Sequence, residues 1–176
     1  TLTPNSQDIL SKIEGDLTIT SYVNLMDKAN GGIGLPRNWN NDKKNFEKYI
    51  RFKPNMEMNY VLFYDTIPGQ GMTMESMTEE VDKIIVLNDL NPKNILAPSE
   101  IRKIIDLRPE ENRFVRLIEL NNDKKVFLRM YDDSRRYPSE SEISVAFKSL
   151  IEKRPLVAFV TGHDERNVDL DGDVNY

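Results

Sequence analysis

Leu17-Thr18-Ile19-Thr20-Ser21-Tyr22-Val23-Asn24-Leu25 is the stretch on which the fold turns. Leu17, Ile19, Val23 and Leu25 fall on one side of an extended chain, with Thr18, Thr20, Tyr22 and Asn24 on the other. That period of two is the pattern of a half-buried strand. Downstream, residues 57–65 put Met58, Tyr60, Leu62 and Tyr64 on one face and Val61 and Phe63 on the opposite one. A strand apolar on both sides is expected to be covered on both sides and central in its sheet. Between the two strands a helix is predicted over about residues 40–52, its apolar face made by Trp39, Phe46, Tyr49 and Ile50. The Gly31-Gly32-Ile33-Gly34-Leu35-Pro36 stretch before it reads as a mobile loop. Strand, helix and strand form a β-α-β unit, which demands a parallel pair joined by a right-handed crossover.

Upstream, Thr3 and Pro4 have the chemistry of a helix N-cap and first helical position, Ile9, Leu10 and Ile13 give the helix a face, and Gly15 is the expected stop. Downstream, Ser76 and Glu79 suggest a capping box for a helix carrying Met77, Val81, Ile84 and Ile85. A short helix with Ile101, Ile104 and Ile105 is expected after Pro98. Residues 113–120 and 125–131 read as strands of a hairpin around Asn121-Asn122-Asp123. Ser139 and Glu142 open the clearest helix, with Ile143, Ala146, Phe147, Leu150 and Ile151 at helical spacing. Pro155-Leu156-Val157-Ala158-Phe159-Val160 reads as one more buried strand. A β-α-β unit followed by β-β-α implies an α/β fold with a mixed central sheet, the thioredoxin-like three-layer arrangement, over residues 1–153. Residues 154–176 are expected to supply the first strand of a second α/β region and an acidic connector into it.

The 176 residues suffice for one domain with a real core. The chain has no Cys, which excludes disulfides, thiol redox chemistry and Cys-ligated metals, and its single His, His163, excludes a multi-histidine site. Net charge is −5 with the basic residues dispersed, so nucleic acid is not an expected partner. No apolar run approaches a membrane span, and no signal-peptide pattern is seen, so a soluble chain is expected. The first residue is Thr1 rather than Met, from which we expect a processed or excised piece.

Neither a P-loop nor a dinucleotide-binding glycine pattern is present, and no cofactor is expected. His163-Asp164-Glu165 follows the predicted last strand, at the end where α/β folds expose reactive side chains. An imidazole beside two carboxylates suits acid–base work or metal ligation. The plainer reading is a solvated loop. Asn167, Asp169 and Asp171, with Gly172, match half of a calcium-loop pattern, or else form a solvated acidic tail. Arg135 and Arg136 are an anion-binding pair in one reading and an exposed turn in the other. Met72, Met74 and Met77 offer an adaptable surface or, more simply, one core residue and a loop.

Several phrases, taken in order, point to a family. They are Leu2-Thr3-Pro4-Asn5-Ser6, Leu17-Thr18-Ile19-Thr20-Ser21-Tyr22-Val23, Gly34-Leu35-Pro36, and Phe46-Glu47-Lys48-Tyr49-Ile50-Arg51-Phe52-Lys53-Pro54. Further along come Ile104-Ile105-Asp106-Leu107, Arg113-Phe114-Val115-Arg116-Leu117, Glu142-Ile143-Ser144-Val145-Ala146-Phe147-Lys148 and Phe159-Val160-Thr161-Gly162-His163-Asp164-Glu165-Arg166. Together they resemble the extracytoplasmic auxiliary domain of gliding-motility-type (GldG-like) ABC transporters and related Bacteroidetes ABC-2 permeases. Asp164 stands where that family has Gly.

The resemblance implies a non-enzymatic periplasmic domain, tethered to the inner membrane by spanning segments of the same polypeptide. Its implied partners are ABC transporter subunits, including a separate ATPase, and its implied role is substrate recognition or complex assembly. It supplies no catalytic residue. Two other functions stand beside it: a hydrolase or ligand-modifying domain using His163 with Asp164 or Glu165, and a calcium-dependent binding module at residues 167–173.

Overall fold

The computed structural model describes residues 1–130 and 137–152. Thr3 caps helix α1 (Pro4–Ser11), accepting a hydrogen bond from the Ser6 N–H, with Pro4 in the first turn as expected. The helix ends at Ser11, before Gly15, whose φ of +103° instead serves the turn into the sheet. A Cβ at Gly15 would overlap the Asn121 side chain, so both conformation and space require glycine there. Strand β1 (Leu17–Asn24), helix α2 (Trp39–Phe52) and strand β2 (Met56–Phe63) follow, and β1 and β2 are parallel, with Leu17 opposite Met56 and Asn24 opposite Phe63.

Helix α3 (Met74–Leu87) then leads to a two-residue strand, β3 (Ile95–Leu96), parallel to β2. Helix α4 (Pro98–Ile104) precedes the hairpin of β4 (Val115–Leu120) and β5 (Lys124–Arg129), and α5 (Glu140–Ile151) packs back over it. Asn121 and Asn122, at φ of +52° and +58°, make the tight turn the sequence predicts, since Asn tolerates left-handed backbone. Among the described residues the fold is therefore α/β, a five-stranded mixed sheet of order β3-β2-β1-β4-β5 flanked by helices.

One face of the sheet carries α1, α2 and α5 over Leu17, Ile19, Met56, Ile118 and Leu128, with Phe46, Tyr49, Ile143 and Phe147 filling the space between. Toward the other end of the same face, α3 sets Met77 and Val81 against Val23, Leu62 and Ile95. The opposite face is covered by Ile101 and Leu107, which pack on Tyr22, Phe63, Val115 and Leu117.

Three expectations need correction. The central strand is β1, buried on both faces, whereas β2 is paired on its outer side only at Leu62 and Phe63 and exposes Glu57 and Asn59. The polar face of β1 misled because Asn24 is buried by being hydrogen-bonded and Thr20 by being small. The Gly31–Gly34 segment is a 3₁₀ turn followed by another at Pro36–Asn38, with Ile33 and Leu35 packed into the core. Gly34 lies so close to β1 that a Cβ would overlap Val23. The cap of α3 is Thr73, which exchanges hydrogen bonds with Ser76 three residues before the predicted box. The sequence also gives no sign of β3, which is too short to leave a periodic signal. The predicted strand at 155–160 and the second-domain connector over 154–176 lie outside the described residues.

Candidate functional site

Ser21 of β1 is opposite Tyr60 of β2 and Arg116 of β4, so the three side chains form one row across the helix-covered face of the sheet. Helix α2 lowers Asp42 onto this row. Arg116 Nη2 donates to Asp42 Oδ1 at 2.6 Å and the Tyr60 hydroxyl donates to Oδ2 at 2.9 Å. Both members of the ion pair are fully buried. The guanidinium also lies 4.7 Å from the Phe114 ring centre, 5.3 Å from that of Phe46 and 6.0 Å from that of Tyr137, and its Nη1 reaches Met130 Sδ at 3.3 Å. Tyr60 is stacked on Trp39, with 4.8 Å between ring centres, and the indole N–H donates to the Gly34 carbonyl. Burial first, and the Asp42 charge second, push the Tyr60 hydroxyl well above the ordinary tyrosine range. Each Asp42 oxygen already has a protein donor, so the pair fastens α2 to the sheet and exposes no reactive carboxylate.

The carboxyl ends of parallel strands are where open α/β sheets hold their ligands. Here those ends are occupied by loop-holding bonds. Asn24 Nδ2 donates to the carbonyls of Asp65 and Asn112 at 2.9 and 2.8 Å, and its Oδ1 accepts from the N–H groups of Met26 and Asp65. Asp27 Oδ1 accepts from the N–H groups of Ala29 and Asn30, while Oδ2 accepts from that of Phe114. Asp65 takes Arg102 Nη2 on both oxygens, at 2.8 and 2.7 Å, which ties α4 to the end of β2. Asn112, at φ +54°, donates to the Thr66 carbonyl.

A third polar centre joins three helices. Glu140 at the start of α5 accepts from Lys48 Nζ (2.7 Å), the Thr3 N–H (2.7 Å) and the Ser6 hydroxyl (2.8 Å), while Ser6 and Ser144 share a bond of 2.7 Å. The Lys48 bond, then those from Thr3 and Ser6, hold the Glu140 carboxyl at about 2, below its ordinary 4.5.

Arg135, Arg136, His163, Asp164, Glu165, Asn167, Asp169 and Asp171 are outside the described residues. Met77 is core, Met72 packs partly against it, and Met74 is exposed. Among the described residues no group of three or more acidic or histidine side chains is placed to hold a metal, and no helix is long and apolar enough to cross a membrane. A shallow groove of about 370 Å³ between Lys12, Glu14, Asp123 and Lys124 carries charges of both signs, and Lys12 is already paired with Asp8. The row of Tyr60, Arg116 and Asp42 was missed, although its signal is in the sequence. Asp42 lies four residues before Phe46 on the apolar face of α2, and Arg116 alternates with Phe114 and Ile118 on the apolar side of β4. Charges at apolar positions mark a buried pair. No protein-family model, curated protein or solved structure matches the chain.

Proposed function

We propose that this chain is a non-enzymatic extracytoplasmic domain of an ABC transporter, thioredoxin-like in its β-α-β and β-β-α order, that acts in substrate recognition or complex assembly. The observation that carries the reading is the use of polar groups at the strand ends. Asn24, Asp27 and Asp65, where a sheet of this class would present reacting groups, are bonded to the backbone of neighbouring loops and to Arg102. A side chain whose lone pairs hold its own scaffold is a poor acid, base or nucleophile. The family resemblance over nearly the whole chain adds the location and the partners: the periplasmic side of the inner membrane, membrane-spanning segments of the same polypeptide, and a separate ATPase.

The test is to purify the full-length gene product from its native membranes in mild detergent and identify its stoichiometric companions. The reading expects an ATP-binding subunit and a permease in fixed ratio to the chain. Recovery as a free soluble protein of the cytoplasm overturns it.

A further inference from the structure

Among the described residues, three buried side-chain polar atoms have no hydrogen-bond partner in the protein: Ser21 Oγ, Arg116 Nε and Tyr49 Oη. Two of them belong to residues that face each other across the sheet. Ser21 and Arg116 are directly opposite in the β1–β4 ladder, and opposed residues of an antiparallel pair point to the same face with Cβ atoms about 4.5–5.5 Å apart. Ser21 also occupies a position where β1 otherwise carries Leu17, Ile19 and Val23, so a small hydroxyl stands in the middle of a row whose other members, Tyr60 and Arg116, are long. Arg116 Nη1 and Nη2 are engaged by Met130 and Asp42, which fixes the guanidinium and leaves its Nε–H without a protein acceptor.

We propose that the row is a built internal hydration site, holding one water molecule between Ser21 Oγ and Arg116 Nε. A buried donor left unmade costs about 1–3 kcal/mol, and buried polar groups with no protein partner are satisfied by ordered water. The water accepts from the Arg116 Nε–H and shares a bond with the Ser21 hydroxyl, which meets the minimum of about two polar partners that retain an internal water. The ligand is water, not an anion, because Asp42 already neutralises the guanidinium at 2.6 Å. The site extends the Asp42–Arg116 pair into a hydrated network, in which the water gives the Arg116 Nε–H its acceptor.

A high-resolution crystal structure of the 176-residue chain, with oxygen-17 relaxation dispersion of water in its solutions, tests this. The expected result is a density peak within about 3.2 Å of both atoms. The Ser21→Val variant removes the hydroxyl and fills its space, and its dispersion amplitude should fall by one long-lived water per molecule. No peak at the site, or an unchanged amplitude in folded Ser21→Val, overturns the proposal. Should Ser21→Val fail to fold, the wild-type density decides alone.

Discussion

Asp42 and Arg116 are fully buried and bonded to each other at 2.6 Å, and the cost of such a pair shows when one half is removed. Asp42→Asn should lower unfolding free energy by about 3–5 kcal/mol, because it strands a buried guanidinium. The double variant Asp42→Leu with Arg116→Met should recover most of that loss, since apolar residues of similar volume replace a buried pair at little net cost. Chemical denaturation of the three proteins checks both statements. Tyr60→Phe removes the second donor to Asp42 and should cost about 1.5–3 kcal/mol, the range for a hydrogen bond to a charged group, in the same assay. Glu140 makes a pH-dependent contribution. Its carboxyl is held at about 2 against an ordinary 4.5, so its stabilisation is fully present above pH 4.5 and is lost as pH falls through about 2. Partial exposure of both Glu140 and Lys48 screens the effect, and Glu140→Gln should cost about 1–2 kcal/mol at neutral pH. Acid titration of thermal stability should show the variant with a shallower slope than the wild type between pH 4.5 and 2.

At the scale of elements, α5 joins one face of the sheet to α1 and α2 through Ile143, Phe147 and Leu150. Truncating the fully buried Phe147 to Ala should cost about 3–5 kcal/mol, measured by denaturant unfolding. This helix was fully legible, because Ser139 and Glu142 cap it as the sequence indicates and its apolar residues keep helical spacing. The β4–β5 hairpin was legible for a similar reason, its local turn chemistry matching its pairing. The rank of strands in the sheet was not legible. Centrality depends on which neighbours arrive from distant sequence, and the Thr and Ser residues of β1 conceal it. In the same way Thr73 outcompeted Ser76 as the cap of α3, since both have the right chemistry and only the path of the preceding chain decides between them. The buried row was half legible. Asp42 and Arg116 each stand out on an apolar face, but their partnership is created by the crossing of α2 over β4 and leaves no local pattern.

For the whole molecule, the proposed reading is an extracytoplasmic transporter domain whose polar residues hold the scaffold together. These 176 residues contain no Cys, so they cannot carry thiol oxidoreductase chemistry, and a thiol introduced among them has no other thiol of this stretch to compete with it. Glu57 is exposed on the open part of β2, so Glu57→Cys places such a thiol at little cost to the fold. The most direct measurement is labelling of the full-length gene product carrying Glu57→Cys by a small membrane-impermeant maleimide, in intact cells and after lysis, with the unsubstituted protein as control. The account predicts labelling at Glu57→Cys in intact cells, equal to that after lysis. Labelling only after lysis would place the domain in the cytoplasm and contradict it.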